Sequence, residues 1–348
     1  MILILKLALI LLVFSCTNLQ AQGLPKVGLI LPLTGEAASY GEQFKKGLAL
    51  NPSSRSFQLI FEDSKFEPKH ALSAFYKLVD KDNVAALISF GGATCSVINQ
   101  AAQKKSIVHI AAGCNTDSFS EAESFNFRLD VNEEIAAEKT AQYLHTLAID
   151  KVAFVYVSNP WGESIISQTE KAFLRVGIQI GDKVTFDSAQ TIDLKSAFAK
   201  LVSNKLQLVF LISLPNLTPV VLRQLKVAGY KGPIMSNISV ENPAVVQLAG
   251  KDAEGIFYLA VKANPKSKLA SLEFNRAFPD GNTFAAWGYD SVLLLKDAFA
   301  SPNPAEFLRG LKDFIGSFNA YNFNRSGELF LNYEIREIKD GKYITKTE

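Results

Sequence analysis

The 348-residue chain has little of the chemistry on which most enzymes depend. Its three histidines (His70, His109 and His145) lie more than thirty residues apart along the chain. No group of His, Cys and carboxylate residues shows the spacing of metal ligands. No Gly-rich dinucleotide fingerprint, Walker loop or Gly-x-Ser-x-Gly elbow is present. We therefore expect no catalytic activity, no cofactor and no metal site.

The chain also lacks an excess of charge of either sign. Lysine and arginine number 36 against 34 aspartate and glutamate residues, and the formal net charge is +2. Nucleic-acid binding requires a concentrated basic surface, and no cluster of lysine and arginine supplies one. Nucleic acid is therefore excluded as a predicted partner.

Long hydrophobic segments are missing too. The apolar run 7–14 follows Lys6 and is far shorter than the ~20 residues that span a membrane. This pattern is typical of an export signal covering residues 1–21. Two endings remain open: a lipoprotein signal ending at Cys16, which would carry the lipid, or cleavage after Ala21. Either way we predict a periplasmic or other extracytoplasmic protein, soluble or lipid-anchored through Cys16.

The remaining chain alternates short β-branched runs with amphipathic stretches, which predicts parallel strands joined by helices. Buried strands are predicted at 27–32, 57–63, 84–90, 107–112, 152–157, 178–184 and 208–213. Helices are predicted at 42–50, 68–80, 164–176, 194–202, 218–228, 283–300 and 304–314. Residues 328–344 read as a strand pair around an Asp340-Gly341 turn. The α/β series breaks near 132–138, which indicates two lobes.

Glycine, hydroxyl and aromatic residues follow several predicted strands. The segments are 91–96, 113–116, Tyr40 and Trp161. Ligands of open α/β sheets bind at the carboxyl ends of strands, where helix N-termini favour anions. The two glycine-containing loops could hold an anionic group between the aromatic walls of Tyr40 and Trp161. The alternative is that these residues are helix caps and packing aromatics.

Several segments in this order resemble the solute-binding proteins of ABC importers, specifically the Leu/Ile/Val-binding family with its amide- and urea-binding relatives. They are VGLILPLTGEAASYGEQFKKG, the SFNFR run ending at Arg128, NPWGES, VVLRQLKVAGYKG, LAGKDAEGIFY and AWGYDSVLLLKDAF. The resemblance covers nearly the whole mature chain. It implies a two-lobed type I periplasmic binding protein fold in which each lobe is a mainly parallel sheet flanked by helices. Three crossovers would join lobe 1 (24–133 plus about 262–330) to lobe 2 (134–261 plus about 331–348).

The resemblance also implies site residues. Carried across by position, the ligand-contacting candidates are Tyr40, Gly92, Thr94, Ser96, Gly113, Asn115 and Trp161. Ile238 stands where amino-acid binders place the acid that holds the ligand's ammonium. We therefore predict a small polar ligand that bears a carboxylate or an amide and is not a simple α-amino acid. Glu241 is kept as a candidate because it lies three residues further on and could restore the missing charge.

Partners and mechanism follow from the same resemblance. Closure of the two lobes on the ligand would present a face to an ABC transporter permease in the membrane, and a monomer is expected. The alternative function is a ligand-sensing lipoprotein, or one that activates an envelope enzyme, with the same fold.

Two cysteines remain after Cys16. Cys95 and Cys114 follow neighbouring predicted strands, so their Cα atoms could fall within the ~4.4–6.8 Å that a disulfide requires. Export to an oxidising compartment would favour the bond. Two separate buried thiols are the alternative.

Overall fold

The computed structural model describes residues 23–346 except 116–118, 120–122, 131, 188–189, 205, 268–270 and 280. The predicted export signal and Cys16 lie outside the described residues. Within them, two sheets organise the chain, and no helix in these ranges is long and apolar enough to cross a membrane.

The first lobe is built on a five-stranded parallel sheet in the order β2-β1-β3-β4-β5. Its strands are β1 Lys26–Leu31, β2 Gln58–Asp63, β3 Ala86–Phe90, β4 Val108–Ala112 and β5 Asn126–Arg128. The intervening helices are α1 Ala38–Leu50, α2 Pro68–Tyr76 and α3 Gly92–Lys105. A 3₁₀ segment, Pro52–Ser56, follows α1, and a π-helical turn, Lys77–Lys81, follows α2. Strands β1, β3 and β4 are almost wholly buried, as their continuous apolar runs require.

The second lobe is built on a seven-stranded sheet in the order β14-β13-β10-β9-β8-β6-β7. Its strands are β6 Lys151–Val157, β7 Gln179–Phe186, β8 Leu208–Ile212, β9 Ile234–Ser236, β10 Phe257–Val261, β13 Tyr333–Lys339 and β14 Lys342–Thr345. Five are parallel, and the last two join as an antiparallel hairpin. The helices are α4 Glu133–Thr146, α5 Pro160–Arg175, α6 Lys195–Ser203, α7 Thr218–Val227 and α8 Pro243–Ala249. The hairpin turns at Asp340 and Gly341, both with positive φ, as the sequence predicts.

The segment between β10 and β13 returns to the first lobe. It contains α9 Leu272–Ala277, α10 Thr283–Phe299, α11 Pro304–Arg309 and a small hairpin of β11 Phe314–Ile315 and β12 Ala320–Tyr321. The strands of the two sheets thus occupy 26–128 on one side and 151–261 with 333–345 on the other. The lobe boundaries drawn from the sequence stay a prediction.

Every strand predicted from the sequence is present, and the larger differences from prediction lie at helix ends. Helices α1 and α5 begin four residues earlier than predicted, and the Asn159 side chain caps α5 by accepting from the Gly162 N–H at 2.8 Å. Helix α11 ends at Arg309 instead of residue 314. Gly310 is a poor helix former, and Asp313 has a φ of 50°, which a right-handed helix does not allow.

His109 is a structural residue of β4. It is fully buried, with Nε2 2.7 Å from Ser89 Oγ and Nδ1 2.9 Å from Asn126 Oδ1. Burial lowers the pKa of this imidazole to about 4, although the Asn126 hydrogen bond partly opposes the shift. The ring is therefore neutral at physiological pH and serves the packing of the sheet.

Helices α1 and α10 cross at two glycines. A Cβ added to Gly47 would overlap the Ala285 carbonyl, and one added to Gly288 would overlap the Phe44 carbonyl. The obstacles are backbone atoms, which cannot rotate away as a side chain can. Glycine is therefore required at both positions by the closeness of the two helices.

We predict that Gly47→Ala and Gly288→Ala each lower the free energy of unfolding by about 1–3 kcal/mol, because the added methyl overpacks the crossing. This loss would exceed the ~1 kcal/mol that alanine gains over glycine in a helix. Chemical denaturation monitored by circular dichroism measures it. Gly23→Ala is the matched control, since a methyl there meets nothing within 4 Å. Unchanged or raised stability in both helix variants would show that the helices are not in backbone contact.

Candidate functional site

A pocket lies between the carboxyl ends of strands from both sheets. We call it the aromatic pocket; it is lined by Tyr40, Phe66, Phe90, Gly91, Gly113, Asn115, Asp130, Trp161, Asn237, Ile238, Ser239, Phe284 and Trp287. Its cavity volume is ≈ 30 Å³, room for about two water molecules. Of the predicted site residues, Tyr40, Gly113, Asn115, Trp161 and Ile238 come together here.

Aromatic rings form most of the pocket wall. The Tyr40 ring centroid lies 4.9 Å from that of Phe284 and 5.3 Å from that of Phe90. Trp287 continues this cluster at 5.5 Å from Phe284, and Trp161 meets the Phe66 ring edge-on at 6.2 Å. These separations are those of favourable tilted and edge-to-face pairs. The wall therefore suits a flat or branched apolar group.

Two glycines allow the backbone to approach this wall. Gly91 has a φ of 106° and Gly113 a φ of 57°, both in the region that favours glycine. A Cβ at Gly91 would lie 2.6 Å from the Phe66 ring, and one at Gly113 would lie 2.9 Å from the Phe90 ring. Gly92 begins α3, and a Cβ there would overlap the Asn115 side chain. The glycines thus bring the helix start and Asn115 against the rings.

Thr94 and Ser96 do not line the aromatic pocket, contrary to the role inferred for them. Since α3 begins at Gly92, both belong to its first turns. The fully buried Thr94 hydroxyl lies 2.7 Å from the Phe90 carbonyl and 2.8 Å from the Gly91 carbonyl, so it fixes the helix start. Ser96 lines a separate groove that also contacts Gly92, Asn115 and Trp161.

Glu241 is also absent from the pocket wall. Its carboxylate accepts hydrogen bonds from Arg336 Nη1 at 2.8 Å, from the Tyr258 hydroxyl at 3.0 Å and from the Thr283 hydroxyl. Only 3% of its surface is exposed. Withdrawing one partner of a buried ion pair typically costs ~3–5 kcal/mol. Glu241 is therefore committed to Arg336, and its proposed swing to meet a ligand's ammonium is not supported.

The sequence reasoning missed two acids. Asp130 is buried two residues after the end of β5 and lines both the aromatic pocket and a second pocket of ≈ 40 Å³. In that inner pocket Glu133 accepts a hydrogen bond from Asn115 Nδ2 at 3.0 Å. Asp130 could have been found by applying the strand-end rule to β5, whose short NFR sequence is a weak strand signal.

Neither pocket has a lysine, arginine or histidine in the described part of its wall. Across the described ranges no three His, Cys, Asp or Glu side chains cluster as metal ligands would. A ligand here would be held by backbone N–H groups at the start of α3, by amide and hydroxyl side chains and by ring surfaces. Such an arrangement can bind a small molecule through hydrogen bonds and ring contacts.

A disulfide joins Cys95 and Cys114, with the two Cα atoms 5.9 Å apart. Both cysteines are fully buried. The bond ties the first turn of α3 to the loop after β4. It therefore restrains the backbone next to Gly92 in the helix and next to Asn115 in the loop.

We predict that the denatured, unreduced protein has no titratable thiol from Cys95 or Cys114. Reducing the bond should lower the free energy of unfolding by about 3 kcal/mol, because the closed loop is some 19 residues long. Thiol titration with and without reductant, followed by denaturant unfolding, measures both effects. Two thiols besides any from Cys16 in the unreduced sample would contradict the bond.

Two parallel-sheet lobes with a pocket between their strand ends define a binding protein of the two-lobed α/β class. The model of the periplasmic binding protein family matches residues 25–324, and the chain belongs to this family. Membership implies an extracytoplasmic location and a solute-binding role. The family and the fold class predicted from the sequence are both confirmed.

Individual relatives are distant in sequence and similar in structure. The chain is 24% identical over 351 residues to Leu/Ile/Val-binding protein homolog 2 of Brucella abortus (strain 2308), covering 91% of this chain and 92% of that protein. The leucine-binding protein LivK of Thermotoga maritima superposes with a TM-score of 0.83 at 18% identity, covering 93% and 98%. A solute-binding protein of Rhodopseudomonas palustris in complex with benzoate gives 0.81 at 20%, covering 93% and 95%.

Proposed function

We propose that this protein is the solute-binding component of an ABC importer. It binds a small organic molecule that has an aromatic or branched apolar portion and a carboxylate or amide end. The observation that carries the proposal is the convergence of six aromatic rings with Gly91, Gly113 and Asn115 in one pocket between the lobes. The binding components related by name and structure to this chain include leucine and benzoate binders, which supports a ligand with this apolar portion.

The polar end is proposed to lie at the start of α3. The first N–H groups of a helix have no intrahelical acceptor, and Gly91 and Gly113 permit close approach to the backbone. Asn115 adds a side-chain amide on the same wall. Because Asp130 and Glu133 are the charged groups lining the pockets, a carboxylate must be held entirely by neutral donors. An amide meets the same donors without repulsion.

The proposed mechanism is hinge closure. The free cavity in this arrangement is ≈ 30 Å³, so the lobes must separate for a ligand to enter and must then pack around it when they close. Direct hydrogen bonds already cross between them: Asn242 Nδ2 donates to Ser39 Oγ at 3.3 Å, and Asn216 Nδ2 donates to the Glu36 carbonyl at 3.3 Å. A ligand that contacts both lobes adds to these bonds and shifts the population towards closure. A membrane permease would recognise the closed monomer, whether free or anchored through Cys16.

Trp161 is expected to report binding. It is 8% exposed and lines the pocket from the second lobe, so separation of the lobes changes its surroundings. The chain has two tryptophans, and Trp287→Phe leaves Trp161 as the sole indole. We predict a shift in emission on binding in this variant. If a ligand that raises the melting temperature leaves the emission unchanged, Trp161 is a packing residue.

The ligand class is tested by a thermal-shift screen followed by calorimetry. We predict that benzoate or benzamide binds more tightly than leucine, valine, alanine or glutamate, because Ile238 and the rings leave the ammonium without a partner on the second lobe. At ~100 times its dissociation constant a ligand adds ~2.7 kcal/mol to stability. Low-micromolar binding of any of these four amino acids would contradict the proposed class.

Asp130→Asn sharpens this test. We expect it to leave benzamide affinity unchanged and to tighten benzoate binding, because it removes a negative charge beside the ligand. If Asp130 instead holds a ligand's ammonium, its loss should weaken amino-acid binding by about 100-fold or more. Asp150→Asn is the matched control, since it makes the same change at a position outside both pockets.

A further inference from the structure

Two buried hydroxyls meet in the aromatic pocket from opposite lobes. Tyr40 belongs to α1, and Ser239 belongs to the 3₁₀ turn Ile238–Glu241 that follows β9. Each residue is 3% exposed, and both line the pocket. The Ser239 hydroxyl lies beside the Tyr40 hydroxyl, so the two form one polar point in a wall made mostly of rings.

Neither hydroxyl oxygen makes a hydrogen bond of ordinary geometry to a described residue. Buried side-chain polar atoms in folded proteins nearly always have such a partner. Even a hydrogen bond between the two would use only one of their two hydrogens and leave the other without an acceptor. The Ser239 backbone, in contrast, is satisfied: its N–H donates to Asn237 Oδ1 and its carbonyl accepts from the Asn242 N–H, both at 3.2 Å.

The surroundings of these hydroxyls are apolar. Phe284 and Phe90 pack on the Tyr40 ring. Burial raises the pKa of the Tyr40 phenol far above its usual range, and the neighbouring Ser239 hydroxyl opposes the shift only in part. The phenol therefore stays protonated and able to donate. A charged ligand group placed here would lack a counter-charge, which is strongly unfavourable.

We propose that the Tyr40 and Ser239 hydroxyls form a neutral subsite that selects ligands carrying an uncharged oxygen, a hydroxyl or a carbonyl, on their apolar portion. A ligand hydroxyl can accept from one of the two and donate to the other, and a carbonyl can accept from both. This inference rests on the proposed function and specifies the ligand's second polar group, at a place separate from the helix start that meets its carboxylate or amide.

Matched ligand pairs test the subsite by calorimetry. The probes are benzoate with 3- and 4-hydroxybenzoate, and phenylacetamide with its 3- and 4-hydroxy derivatives. For at least one hydroxyl position we expect about tenfold or tighter binding than for the parent compound, because an unpaired buried donor gains a partner. Tyr40→Phe and Ser239→Ala should each reduce this ratio, and the double variant should abolish it. The readout is the ratio of the two affinities within each matched pair, because Tyr40 and Ser239 line the pocket and their substitution changes the surroundings of both members of a pair.

A second readout needs no ligand. Tyr40→Phe and Ser239→Ala remove hydroxyls that have no good partner, so the melting temperature of the free protein should stay the same or rise. Tyr258→Phe is the matched control: its buried hydroxyl donates to Glu241, and its loss should lower the melting temperature by about 2–4 °C. An equal fall in the Tyr40 and Ser239 variants would make those hydroxyls structural and overturn the subsite.

The two proposals fail differently. Equal affinity for parent and hydroxylated probes in the wild-type protein would overturn the subsite and leave the solute-binding function intact. Absence of binding by every probe and every amino acid in the screen would overturn the proposed ligand class, and the subsite with it.

Discussion

The backbone contact between α1 and α10 at Gly47 and Gly288 is the constraint on which the pocket depends. Helix α1 carries Tyr40 in its first turn, and α10 carries Phe284 and Trp287 in its first turn and a half. Because a helix moves as a rigid rod over this length, the crossing fixes the separation of these three rings. The segment that returns from the second lobe therefore contributes to the site as directly as the strand ends do.

A buried ion pair supports the wall on the opposite side. Arg336 on β13 bonds Glu241, the last residue of the 3₁₀ turn that carries Ile238 and Ser239. Thr283 at the start of α10 donates to the same carboxylate, which joins this turn to the first lobe. The Glu241 charge thus holds the backbone that presents two neutral side chains, Ile238 and Ser239. An ion pair in such a place stabilises geometry, and removing either partner leaves the other buried and unpaired.

The sequence was sufficient for the fold because strand periodicity and strand ends are local properties. The runs that became β1, β3, β4 and β8 are too apolar to be anything but buried. Tyr40 and Trp161, which the strand-end rule selected, line one pocket. The direction in which each residue of a helix faces was harder to predict from the sequence. Thr94 faces the backbone because α3 begins at Gly92, and the sequence does not fix that starting residue. The partner of Glu241 lies 95 residues further along the chain, a separation at which no pattern in one sequence specifies pairing.

The charges around the two pockets limit which interactions can contribute to the free energy of ligand binding. Rings and neutral donors form most of the aromatic pocket; Asp130 lines both pockets, and Glu133 lines the inner one. Burying a ligand's apolar portion contributes roughly 25 cal/mol per Å², and this term is the same for many compounds of one size. Discrimination between such compounds must then come from the few polar groups on the wall. A buried donor or acceptor without a partner loses more binding free energy than a paired one adds. Under the proposed function, selection therefore depends on where a ligand's neutral oxygen lies on its apolar frame, and ion pairing has a smaller part in specificity.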